Sequence, residues 1–125
     1  MSIPVDPADL RKARADFGSA YLLSTSHPHV KVVTVDPDVA EDGVVRLSGP
    51  GRGTLANIAA NPAVTLVFWP REHHGLSLLV DGAATVDGDD VVVTPEHAVL
   101  HRPRAHADGP VADDGCGHDC APVGK

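Results

Sequence analysis

Residues 48–64 read Ser48-Gly49-Pro50-Gly51-Arg52-Gly53-Thr54-Leu55-Ala56-Asn57-Ile58-Ala59-Ala60-Asn61-Pro62-Ala63-Val64. The order is a strand end, a glycine-rich turn carrying one arginine, a short helix, and an Asn-Pro stop that feeds the next strand. Glycine lets the backbone take positive φ and approach a ligand closely. Arg52 adds a permanent fork of donors. A helix that begins directly after it turns its free N–H groups and positive dipole end the same way. Two readings fit: an anion site, most naturally for a phosphate, or a tight strand-to-helix turn with an arginine in water.

On either side of this turn the pattern is one of strands. Leu55, Ile58 and Ala59 give the short helix one apolar face, and Asn61-Pro62 ends it. Strands follow at 64–69, 76–86, 91–94 and 97–101, with Gly88-Asp89-Asp90 as a hairpin turn. Upstream, strands at 21–25 and 30–35 flank the turn signal His27-Pro28, and Asp36-Pro37 ends the second of them. A strand at 44–48 follows the turn Glu41-Asp42-Gly43. The first helix is signalled by Asp6 as N-cap, Pro7 in the first turn and Asp9 after it. Leu10, Ala13 and Phe17 make its apolar stripe, and Gly18 suits its C-terminus. Six or seven strands with two short helices predict a mainly β chain, a small antiparallel barrel.

The length of 125 residues suits one folded unit, residues 1–103, with a tail at 104–125 rich in Gly, Pro, Asp and Ala. A net charge of −7 with no basic stripe argues against nucleic acid as a partner. No apolar run approaches the roughly 20 residues that span a bilayer, so no membrane partner is expected. The opening residues lack the basic and apolar regions of a signal peptide, which predicts a cytoplasmic protein.

Two further segments carry chemistry. Trp69-Pro70-Arg71-Glu72-His73-His74-Gly75 ends a strand and adds two imidazoles. His73 or His74 could supply a proton, since imidazole titrates near neutral pH, or the loop is solvated beside a half-buried Trp69. Cys116-Gly117-His118-Asp119-Cys120 offers Cys116, His118 and Cys120 as ligands for zinc or a similar metal. The same cysteines also read as a small disulfide loop or as ordinary thiols on a tail. His97 and His101 read as surface or interface polar residues. No nucleophile elbow, P-loop or paired carboxylates appear, so any reaction would depend on a bound cofactor.

Taken together, the elements resemble the pyridoxamine 5′-phosphate oxidase-like proteins, the flavin- and deazaflavin-dependent split-barrel oxidoreductases. Four features carry the resemblance: the short first helix before Tyr21-Leu22-Leu23-Ser24-Thr25; the strand pair joined through Ser26-His27-Pro28-His29; the basic glycine turn with Leu55-Ala56-Asn57-Ile58 and Asn61-Pro62-Ala63-Val64; and Leu79-Val80-Asp81-Gly82-Ala83-Ala84. The resemblance implies a six-stranded antiparallel split β-barrel. It also implies a homodimer with the cofactor ring, of FMN or deazaflavin F-420, at the subunit interface. The reaction implied is hydride transfer to or from a small organic substrate in that cleft. By position, Lys31, Val32, Val33 and Thr34 would line the cofactor, with Lys31 or Thr34 near the phosphate or ring. Leu47, Ser48 and Gly49 would lie beside the ring or ribityl chain. Gly51, Arg52, Gly53 and Thr54 would grip the phosphate, and Trp69 would join the cofactor set. Family members often carry two adjacent basic residues in this turn, whereas Arg52 stands between glycines and a base elsewhere would have to compensate. The region after Val86 is also shorter than in many members, which leaves the substrate pocket undefined. A non-catalytic split-barrel module is the other reading: a cofactor carrier, a haem binder or a metal-linked dimer.

Overall fold

Asp6 opens the first helical turn as its side chain dictates. Its carboxylate accepts from Ala8 N–H at 2.9 Å, and Pro7 needs no partner for a missing N–H. In the computed structural model, which describes residues 2–26, 28–72 and 75–102, strand β1 (Ser2–Val5) precedes this turn. A 3₁₀ turn (Pro7–Asp9) runs into helix α1 (Leu10–Arg14), followed by β2 (Ala20–Ser26), β3 (His29–Val35), β4 (Asp38–Val39) and β5 (Val45–Leu47). Helix α2 (Arg52–Ala60) leads to β6 (Ala63–Phe68), β7 (Ser77–Asp87) and β8 (Asp90–His101).

Helix α1 is shorter than its apolar stripe predicts, with its C-cap at Ala15 rather than Gly18. Arg14 explains the early stop: its guanidinium donates to the carbonyls of Phe17 and Pro37 and so fastens the turn that leaves the helix. Phe17 still reaches the core from that turn, with its ring 6.1 Å from that of Phe68.

All strand pairs are antiparallel, in the order β3-β2-β6-β7-β8-β5-β4, with β1 added along the far half of β8. The sheet curls into a half-barrel whose concave face carries Ala20, Leu22, Val35, Leu66, Phe68, Leu78, Val80, Val91 and Val93. Alternation along β2, β6 and β7 places these residues inward and leaves Tyr21, Leu23, Thr65 and Leu79 on the convex face.

The strands expected at 91–94 and 97–101 are one, β8, because Pro95 sits in a β-bulge rather than a break. Asp81 pairs with His97 and Gly82 with Pro95, so Glu96 is the extra residue. Gly82 is required there: a Cβ would lie 2.5 Å from Thr94 O and 2.9 Å from Val93 Cγ1. Gly82→Ala is therefore expected to cost about 1–3 kcal/mol, as overpacking does. Urea unfolding tests it, and an unchanged midpoint would mean the bulge can shift without cost. Strands β1 and β4 add to those the sequence predicts, so the described sheet has eight strands rather than six or seven.

Candidate functional site

Helix α2 starts where the glycine turn ends. Gly51, at φ 107°, is its N-cap and has no side chain to offer the N–H groups of the first turn. Gly49 also takes positive φ, at 54°. On the face turned to the sheet, Thr54 and Ile58 are buried, whereas Ala59, expected on the apolar face, is exposed.

Two asparagines fasten this helix to β2. Asn57 Nδ2 donates to the buried hydroxyl of Ser24 at 3.2 Å, and Asn61 Nδ2 donates to Thr25 Oγ1 at 2.8 Å. Asn61 Oδ1 also accepts from Ala63 N–H, which shapes the chain's exit from α2 into β6. Asn57→Ala would leave the Ser24 hydroxyl buried without its donor, an expected loss of about 1–3 kcal/mol by denaturant unfolding. A loss below that range would mean water takes over the bond.

Held in this way, the N-terminus of α2 meets β3. Lys31 pairs with Ser24 in the β2–β3 register, on the concave side of the sheet. Its side chain lies against Gly53: a Cβ there would be 3.0 Å from Lys31 Cε and 3.2 Å from Nζ. The second base that the turn lacks in sequence thus arrives from another strand. Beside it, Thr54 Oγ1 is buried and finds no hydrogen-bond partner among the described residues. Thr54 is fully buried, so this hydroxyl is closed off from the open turn. Lys31 and the uncapped first-turn N–H groups thus lie together at the start of α2, next to Arg52 in sequence.

The chain is 38% identical over 132 residues to an uncharacterised protein of Mycobacterium bovis, covering 93% of this chain and 92% of that one. An uncharacterised protein of Mycobacterium tuberculosis matches to the same extent, and the chain belongs to the family of these mycobacterial proteins. No family model matches. Among solved structures, an FAD-binding protein of Mycobacterium smegmatis superposes with a TM-score of 0.62 at 14% identity, over 81% of this chain and 98% of that one. A pyridoxamine 5′-phosphate oxidase-like protein of Listeria innocua gives 0.61 at 14% identity, over 76% and 98%. The chain has the split-barrel fold of the pyridoxamine 5′-phosphate oxidase-like proteins.

In this split barrel the four residues 31–34 do not share one surface. Lys31 and Val33 face the concave side, while Val32 and Thr34 lie on the convex side with Val30. Trp69 belongs to the convex side too, its ring tilted at 43° against Tyr21 with centroids 4.5 Å apart. Leu47 is fully buried, which leaves only its backbone to a ligand, and Ser48 is exposed at the strand end. His73 and His74 lie outside the described residues, as do Cys116, His118 and Cys120 with the whole tail from 104. Among the described residues no group of His, Cys, Asp and Glu is placed to hold a metal, and no helix is long and apolar enough to cross a membrane. His97 is exposed on β8, 3.7 Å from Asp81, whose other oxygen accepts from Thr65 at 2.6 Å.

A cleft of about 610 Å³ lies elsewhere, between α1 and the β6–β7 loop, with Phe17, Arg71, Glu72 and Leu100 on its walls. A groove of about 400 Å³ on the convex side runs between Val30 and Asp81. Neither contains Lys31 or Arg52. Gly51, Arg52 and Gly53 are exposed, so they form an open turn rather than a cavity.

One cluster gave no signal in the sequence. Arg46 bridges Asp87 at 2.8 Å and Asp90 at 3.3 Å, and Asp90 also accepts from Gly49 N–H at 3.1 Å. The Asp87 hydrogen bond is the main cause that raises the Arg46 pKa above its ordinary value. These partners are 41–44 residues apart, and only the pairing of β5 with β8 brings them together.

Proposed function

We propose that the chain binds the phosphate of FMN or deazaflavin F-420 and, as a homodimer, transfers a hydride to or from a small organic substrate. The observation that carries this reading is the meeting of Lys31 with Gly53 at the start of α2. There the ammonium, the Arg52 guanidinium and the first-turn N–H groups offer charge and donors to one phosphate. The absence of a side chain at Gly53 is what lets Lys31 lie against the start of the helix. The residues present therefore fit such a group. Two structural neighbours support a flavin: the M. smegmatis protein described as FAD-binding and the L. innocua protein of the pyridoxamine 5′-phosphate oxidase type.

When bound, a flavin or deazaflavin supplies a ring that accepts and releases hydride. The chain's own groups bind and orient it: Lys31 and Arg52 balance the phosphate charge, and Asn57 and Asn61 hold the helix that presents the N–H groups. The convex face supports the dimer. Val30, Val32 and Tyr21 are 57%, 53% and 41% exposed there, beside Trp69, a patch suited to a second copy.

Absorption spectra of the purified protein, alone and titrated with FMN and with the deazaflavin, test the proposal. Saturable binding of either is expected. No bound chromophore and no binding of either would sink it, and sedimentation as a monomer would remove the dimer.

A further inference from the structure

We propose that Asp90 is a positioning residue for the anion-binding turn, acting through the N–H of Gly49. The inference rests on the phosphate reading above and adds to it a residue on a different strand.

The β7–β8 hairpin closes on Asp87 and Asp90, which pair directly on either side of Gly88-Asp89. Two carboxylates facing each other across a hairpin repel. Such a pair destabilises the hairpin unless something holds it, and Arg46 does so by donating to both. Asp87 does no more than this among the described residues. Asp90 does: its Oδ2 takes Arg46 while its Oδ1 accepts from Gly49 N–H at 3.1 Å.

That bond falls at a sensitive place. From Gly49 to Arg52 the chain holds two glycines at positive φ, 54° and 107°, with Pro50 between them. The proline ring fixes its own φ. With Gly49 held by Asp90, Gly51 is the one loose hinge left before the helix. Without Asp90, two unrestrained glycines would separate β5 from α2, and the direction of Arg52 and the first-turn N–H groups would be set only from the far end of the helix. Arg46 has a second effect here. It offsets part of the negative charge that Asp87 and Asp90 place beside the turn.

The test compares FMN with riboflavin, which has the same ring and ribityl chain and lacks the phosphate, by fluorescence titration of the full chain. Wild type is expected to prefer FMN. In Asp90→Ala that preference should fall about tenfold, the worth of a lost orienting hydrogen bond, with riboflavin affinity unchanged. Asp87→Ala removes a carboxylate from the same hairpin but leaves Gly49 bonded, and should keep the wild-type preference. An Asp90→Ala protein that keeps the full preference overturns the inference, and so does an Asp87→Ala protein that loses as much. A wild type with no preference for FMN overturns the phosphate reading itself, which separates the two failures. Amide exchange in the wild type needs no variant: Gly49 N–H should exchange slowly, and exchange at the rate of a free amide also overturns the role of Asp90.

Discussion

The double variant Lys31→Ala, Arg52→Ala is expected to bind FMN about a hundredfold more weakly than wild type, with about tenfold for each single change. Each residue offers a charged donor to one phosphate, and such bonds are stronger than neutral ones. Both side chains are exposed, so neither change should disturb the core. The same exposure makes the contribution sensitive to salt, and wild-type affinity should fall as ionic strength rises while that of the double variant changes less. Fluorescence titration at two salt concentrations reads both effects. Undiminished affinity in the double variant would place the phosphate somewhere else. Because Lys31 and Arg52 approach the same anion, their effects need not add, and the single variants measure that coupling.

Phe68→Ala is expected to lower stability by about 3–5 kcal/mol, the largest single effect in the chain. Phe68 is fully buried at the end of β6, paired with Ala20 on one side and Leu78 on the other. Its ring meets Phe17 at 6.1 Å and carries the Arg14 guanidinium 5.5 Å above its centroid. Truncation would open a cavity and also remove the seat of Phe17, by which the segment after α1 is held to the barrel. A domain's whole stability is about 5–15 kcal/mol, so the melting point should drop on the order of 10–20 °C. Thermal melting followed by circular dichroism reads it. A drop of only a degree or two would mean that the end of the barrel collapses to fill the space.

Local punctuation made much of this fold legible. Asp6-Pro7, Gly51 and Asn61-Pro62 mark helix ends where the structure has them, since capping and proline geometry act within a few residues. Pro95 misled for the same reason: a proline inside a strand reads as a stop, and only the pairing with β7 shows that a bulge absorbs it. Strand β1 is four residues with a proline and β4 is two, too short for any period to register. In the candidate site, the turn at 49–54 could be read because its residues are contiguous. The approach of Lys31 to Gly53 is carried by the family resemblance and not by the residues alone, because it follows from the register of β2 against β3 and from the two asparagine bonds that hold α2. The Arg46 bridge was hidden likewise, being assembled from three strands' worth of sequence.

Strand β3 ends the sheet, and its outer backbone N–H and C=O groups have no neighbouring strand among the described residues. Seven residues long and rich in valine, it is the kind of edge on which chains stack into aggregates. Lys31 is its one permanently charged residue. The lysine thus also guards solubility, since a charge on an open edge discourages the approach of a second one. Preparations of Lys31→Ala should precipitate at lower concentration than those of Arg52→Ala, which removes an equal charge from a turn and exposes no strand.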